Sequence, residues 1–500
     1  MKFMGFSGDV GEYSCDLLAF VVRGDEEWSG VLKNVDEALG GLLSTIAEEE
    51  KFEGKADTSL VLHTHGKIAA ARVALLGASE DVAVPAFRNY AAQAVKIAQK
   101  LSLDSVGLVA PSAGSDTVDL AIRFVAEGAI LGGYRFDRHR TQDTTEWSLG
   151  SFGLGLISDG EMLDVSADQF NTATGIGIQV AEGISLARDL VNEGPNKMTP
   201  IELADAAAKI AEEEGLECTI MGLKEIKAMN MELIQAVNAG SDIEPRLIHL
   251  TYKPEGDTEG LPVIAFVGKG LTFDAGGYNL KPTGAIDDMK IDMAGSAAVL
   301  GAMKAIKALA PRAIVHGIVP STENLVNGSA YKLGDVYTAQ NGKTVEIRNT
   351  DAEGRLILAD ALCYTVDLGI DEMFSLATLT GACVVALGPY TCGIFGTDQT
   401  MVDQVLEIGE DTGEDMWQLP MNPKLRKMLK SQVADMKNVG ERWGGASTAA
   451  LFLKEFVGDT KWVHMDLAGP SFLDSPVEAH MGKGGSGYGV LTLLEYANRR

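Results

Sequence analysis

Along the first ~165 positions, short apolar runs alternate with stretches of helical spacing. Leu17 to Val22, Val73 to Leu76 and Val106 to Ala110 are apolar or β-branched, and helical patterns lie between them. That alternation predicts an α/β domain. Val118 to Leu131 carry the spacing of another helix, which Gly132-Gly133 and the polar run Asp137 to Glu146 end. Between Ser166 and Asn192 the apolar positions Ile176, Val180, Ile184 and Ala187 recur at three and four, and Asn192-Glu193-Gly194-Pro195 closes the pattern. We read one long amphipathic helix that joins two domains. The expected division is 1–165, a connecting helix at 166–192, and a second domain at 193–500. Nothing near the helix is rich enough in Ser and Gly for a loose linker, so rigid packing through the helix is expected.

In the second domain the apolar runs are continuous: Pro262 to Val267, Ala313 to Val319, Met373 to Leu379 and Trp462 to Leu467. Such runs suit central strands covered by helices on both faces, in a sheet parallel at its middle with antiparallel edges. The Ala-rich helices expected at Ala294 to Leu309 and Leu356 to Val366 permit close packing on that sheet.

Composition narrows the class. Five hundred residues exceed a single core, and 46% hydrophobic with 22% charged residues suits a globular interior. The formal net charge of −28 repels phosphate backbones and anionic headgroups, so neither nucleic acid nor membrane is an expected partner. The amino terminus lacks the apolar stretch of a signal peptide, and no eighteen-residue apolar run is present. Cys15, Cys218, Cys363, Cys383 and Cys392 are scattered, without CxxC pairs, which fits a reducing compartment. A cytoplasmic protein is expected.

Two segments place polar residues where parallel-sheet proteins carry their sites, just past the carboxyl ends of strands. VGKGLTFDAGGYNLKPTGAIDDMKIDMAG at 267–295 sets out Lys269, Asp274, Lys281 and Asp292 among glycines that let backbone approach a ligand. RNTDAEGRL at 348–356 brings Asp351, Glu353 and Arg355 to the start of a helix. Each has a plain structural reading. Thr350 with Glu353 has the spacing of a capping box, and the first segment reads as a solvated loop of paired lysines and aspartates. Together, the four carboxylates Asp274, Asp292, Asp351 and Glu353 carry a charge of −4, which two divalent ions would neutralise. Oxygen donors of this kind suit Mn²⁺, Mg²⁺ or Zn²⁺ without histidine.

NTDAEGRL at 349–356, VGKGLTFDAGG at 267–277 with the later Lys281 and Asp292, TLTGA at 378–382 and ADMKN at 434–438 resemble the leucyl aminopeptidase family of cytosolic dinuclear metallo-exopeptidases. The likeness covers most of residues 190–500, while the amino-terminal part resembles the family's macro-like domain by position and pattern. The resemblance implies that Asp274 and Glu353 ligate both metals, Asp351 one, and Lys269 with Asp292 the other. It also implies catalytic roles for Lys281, which polarises the scissile carbonyl, and for Arg355, which holds a bicarbonate acting as general base. Met289, Thr378, Gly381 and Ala468 are placed at or near a pocket for leucine or another apolar first residue. Peptides with a free amino terminus are the implied substrates, and a homohexamer is the implied assembly. Chemistry agrees: Lys269 can ligate only as the neutral amine, whereas Lys281 must stay charged to stabilise an oxyanion.

Other features are assigned packing roles. No histidines stand at HExxH spacing, and His316 and His464 lie inside apolar strands, where structural hydrogen bonding is expected. Asp287 and Asp288 read as solvated loop acids, Cys383 as a small core residue, and Gly482 to Gly489 as a mobile surface turn. The rival functions are a dinuclear phosphoesterase and a non-catalytic scaffold.

Overall fold

The computed structural model describes residues 1–24, 28, 30–78, 83–111, 117–142, 146–158 and 160–500; positions 143–145 of the polar run ending at Glu146 fall outside these. The chain is mixed α/β and forms two compact units, one of residues 1–181 with 475–482, the other of 182–474 with 483–500.

In the first unit the sheet runs Lys2–Gly5, Ser151–Ser158, Ser105–Pro111, Leu17–Arg23, Arg72–Ala78, Ser59–His63. All pairings along this path are parallel except the last. The run Leu17 to Val22 has no polar face because both sides are covered. Leu17 and Ala19 pack with Phe87, Val95 and Phe124 from the helices Ala86–Lys100 and Val118–Gly132, while Leu18, Phe20 and Val22 pack with Leu32, Leu39 and Leu43 from Gly30–Leu39 and Leu42–Glu49.

The second unit is built on a sheet ordered Met416–Gln418, Cys392–Gly396, Lys461–Asp466, Glu372–Ala377, Val263–Gly268, Ile314–Asn324, Arg246–Tyr252, Glu217–Met221. Its middle four strands are mutually parallel, and antiparallel pairings lie outward of them. Ala265 and Val267 face one core with Leu358 and Leu362 of the helix Gly354–Val366. Phe266 meets Phe374 at 5.7 Å between ring centroids on the opposite side, and Phe374 meets Tyr496 at 4.5 Å. The helix Ala294–Leu309 lies so close to the sheet that a Cβ on Gly295 would stand 2.2 Å from the Leu376 carbonyl oxygen. That approach brings residues 292–296 to the carboxyl ends of the central strands.

The long helix forms as Ala167–Asn192, and the division between the units falls within it, after Ala181. One expectation is overturned: residues 484–486 are buried, and Gly484–Gly485 pairs antiparallel with Phe472–Leu473. The glycines are required there by crowding, since a Cβ on Gly485 would lie 2.8 Å from Val191 Cβ. Asp287 and Asp288 are exposed, Cys383 is buried, and all five cysteines are free. Among the described residues, no helix is long and apolar enough to cross a membrane.

Candidate metal centre

Lys269 directly follows the central strand Val263–Gly268. Its backbone is fixed between strand and helix, with its N–H donated to Leu376 O (2.9 Å) and its carbonyl accepting from Ser296 N–H (2.9 Å). The side chain lies over Gly354, where a Cβ would stand 2.5 Å from Nζ, so glycine alone opens that path. Nζ reaches Asp292 Oδ1 at 2.7 Å, Glu353 Oε1 at 2.9 Å and Thr378 O at 3.3 Å. Asp292 sits in the 3₁₀ turn Met289–Met293 and accepts from Thr378 Oγ1 at 2.7 Å.

Asp274 ends the strand Gly270–Asp274. Its Oδ1 accepts from Gly276 N–H and from Asn324 Nδ2, both at 2.8 Å. Its Oδ2 faces Lys281 Nζ at 2.8 Å, and the same ammonium reaches Asp351 Oδ1 at 2.7 Å. Gly276 and Gly277, with φ of 88° and 63°, turn the chain so that Lys281 comes back over Asp274. The capping box does not form. Thr350 Oγ1 accepts from Asn279 N–H and donates to Gly276 O, both at 2.7 Å, and Glu353 at the helix start makes no side-chain cap. Thr350 therefore ties the two polar segments together. One oxygen each from Asp274, Asp351 and Glu353 can lie within 4.8 Å of the others.

The charges are unbalanced. Four carboxylates meet two ammonium groups in a site where Lys269, Asp274, Asp292 and Glu353 are buried. Burial first, then Glu353 and Asp292, push the Asp274 carboxyl up to about 8. Burial raises Asp292 to about 6 against the pull of Lys269. Burial opposes the charge on Lys269, yet Asp292, Glu353 and Asp274 outweigh it and hold the ammonium protonated. The lysine thus reverses the lowering that ligation requires, because here it is itself the neutralising cation. Glu353 Oε2 is buried without a hydrogen-bond partner, and Asp292 Oδ2 and Asp351 Oδ1 meet only ammonium groups outside hydrogen-bond geometry. A donor set of anionic oxygens with orphaned atoms and excess negative charge fits divalent cations.

Arg355 is buried, and burial lowers it to about 10 despite Glu353 and Asp466. Its Nη1 donates to Asn438 O at 3.0 Å, while Nε has no partner, so the guanidinium can still take an anion. Beside Thr378, the buried Asp466 accepts from Thr380 Oγ1 (2.7 Å) and from the N–H groups of Leu379, Thr380 and Ala468 at 3.2–3.4 Å. Leu379 and Thr380, which precede the helix start at Gly381, are thereby tied to the residue two before Ala468. Met289 is half-buried in the turn that carries Asp292.

Sequence reading overlooked the residues that hold this arrangement. Asn324, Asn438 and Asp466 are buried and link segments far apart in the chain; the only advance signal was Asn438's place in ADMKN. His316 and His464 bond within the sheet, to His249 Nε2 (2.8 Å) and Ser375 Oγ (2.9 Å), as expected.

Two family models match, described as the cytosol aminopeptidase family's N-terminal domain (residues 18–143) and catalytic domain (185–494). A probable cytosol aminopeptidase of Aquifex aeolicus is 40% identical over 504 residues, covering 99% of this chain and 98% of the relative. One from Synechococcus sp. (strain JA-3-3Ab) is 42% identical over 475 residues, covering 94% and 92%. Among solved structures, a mutant of tomato leucine aminopeptidase is similar with a TM-score of 0.89 and 35% identity, covering 100% of this chain and 97% of that one. The bottromycin maturation enzyme BotP in complex with Mn is similar with a TM-score of 0.85 and 31% identity, covering 97% and 99%. Carrying both domains in order and a cluster of carboxylates that could hold a metal ion, the chain belongs to the cytosol aminopeptidase family and is a metal-dependent aminopeptidase.

Proposed function

We propose that the enzyme releases leucine and other apolar amino-terminal residues from peptides at a dinuclear centre. Asp274 and Glu353 would hold both ions, Asp351 would serve one, and Lys269 with Asp292 the other. The observation that carries this reading is the convergence of Asp274, Asp351 and Glu353, with the Glu353 Oε2 orphan among them. Bound there, two divalent ions would supply Lewis acidity at neutral pH. Mn²⁺ or Zn²⁺ suits the donor set, with Mg²⁺ a further candidate. The BotP structure with Mn agrees with manganese.

The protein's own groups then divide the work. Lys281 is held protonated by Asp274 and Asp351 against the effect of burial, so its ammonium can stabilise the oxyanion that develops on the scissile carbonyl. Arg355, through its open Nε, would hold bicarbonate, which would supply a general base there. Met289, Thr378, Gly381 and Ala468 would line the pocket for the first side chain, with Asp466 holding Ala468 and the intervening Leu379 and Thr380. We place the protein in the cytoplasm as a homohexamer, away from nucleic acid and membrane. Its net charge of −28 supports that separation. The exposed Val385, Trp417, Val433 and Trp443 of the catalytic unit suit subunit contacts.

Substrate comparison tests the reading. Leucine anilide should turn over, whereas N-acetyl-leucine anilide should be poor because its amine is blocked. A phosphate monoester should be inert. Turnover of the phosphate ester alone would move the centre to phosphoryl chemistry.

A further inference from the structure

We propose that Asn438 is a positioning residue that sets both the ligand-bearing turn and the Arg355 guanidinium. Resting on the metal-centre reading above, the inference adds how that centre holds its shape. Asn438 is fully buried and follows the short strand Met436–Lys437, which pairs in parallel with Thr344–Glu346 and so leads the two segments in side by side. Its own N–H donates to Glu346 O at 3.0 Å. Its Oδ1 accepts from Arg348 N–H at 2.8 Å and Asn349 N–H at 3.3 Å. Its Nδ2 donates to Asn349 O at 2.6 Å and Ala352 O at 3.3 Å. Finally its carbonyl oxygen takes Arg355 Nη1 at 3.0 Å.

The turn at 348–353 belongs to neither strand nor helix, so its buried N–H and C=O groups need partners from elsewhere. One primary amide satisfies four of them. Three of them, on Arg348 and Asn349, lie just before Asp351, and the Ala352 carbonyl lies between Asp351 and Glu353. An acid of the same size would set oxygen against two carbonyls, and a shorter side chain would reach neither edge of the turn. Misplacing ligands by about 1 Å is costly, since metal and transition state need a fixed geometry.

The test uses the full-length protein with Asn438→Asp, which keeps the volume, and Asn438→Ser. Mn²⁺ affinity, kcat and KM on leucine anilide at saturating Mn²⁺, and melting temperature are measured. We expect Mn²⁺ to bind about 10–100-fold more weakly. At saturating metal, kcat should fall about tenfold or more with KM little changed. A lower melting temperature with Mn²⁺ affinity and kcat at wild-type values would overturn the proposal. Should neither variant fold, amide exchange in metal-free wild type decides. Protected Arg348 and Asn349 N–H groups support a turn set before metal arrives, and free exchange at both overturns it. Failure of the centre itself reads differently, as wild type that binds fewer than two Mn²⁺ or does not need Glu353.

Discussion

Lys269 and Lys281 are the same residue type twelve positions apart, and their surroundings give them different work. Lys269 is enclosed by Asp292, Glu353 and the Thr378 carbonyl, with Gly354 beneath it, and so stands where a cation belongs. Lys281 remains partly open and bridges Asp274 and Asp351, which suits the oxyanion-stabilising role proposed for it. Lys281→Ala should therefore keep both metals and lower kcat by roughly two or more orders of magnitude, as for removal of one oxyanion-stabilising charge. Metal analysis beside steady-state kinetics checks this, and loss of metal together with activity would instead make Lys281 a structural counter-charge. Candidates of this kind were legible in the sequence because they crowd two short segments. Asn324, Asn438 and Asp466 were not, because the side-chain amides of the two asparagines and the 379–380 contacts of Asp466 reach residues 26–50, 86–90 and 86–87 positions away along the chain, and only folding reveals the pairing.

Apolar runs marked the central strands to within a few residues, because strands covered on both faces have no polar positions to blur them. Turns fared worse. The spacing of Thr350 and Glu353 suggested a helix cap, but the hydroxyl is drawn to the 276–279 turn by tertiary packing. The run 482–489 suggested a surface turn, but its middle is buried against Val191 and Asn192. A clearer electrostatic device closes the helix Gly445–Lys454: Glu455 pairs with Arg426 at 2.5 Å and Lys343 at 2.9 Å. The Arg426 hydrogen bond leads in lowering its carboxyl to about 2, from 4.5, while burial opposes it. Because the folded value is depressed, the stabilisation is complete above about pH 4.5 and disappears as pH falls toward 2. Given partly exposed partners, it amounts to about 1–2 kcal/mol. Glu455→Gln should lower stability at neutral pH and flatten its decline between pH 4.5 and 2 in denaturant titrations; a parallel, undiminished decline would assign the acid sensitivity elsewhere.

At the scale of the whole molecule, the chain's α/β class and its long helix were readable from periodicity, but the partition was not fully so. Residues 475–482 join the amino-terminal unit, and the Ala479 N–H donates to Asn89 Oδ1 at 2.7 Å, a link of 390 residues that no local pattern announces. The proposed hexamer has a direct consequence: six chains of 53.0 kDa should sediment at roughly 320 kDa. A monomer at micromolar concentration would leave the exposed Trp417 and Trp443 without the proposed role. The central claim is that separate segments converge to hold two cations, with Glu353 common to both. Metal content after exhaustive dialysis, measured on wild type and Glu353→Ala together with leucine anilide turnover, tests it most directly. The account predicts two equivalents per chain in the wild type, and loss of both ions with nearly all activity in the variant. Two retained equivalents with undiminished turnover in Glu353→Ala would contradict it.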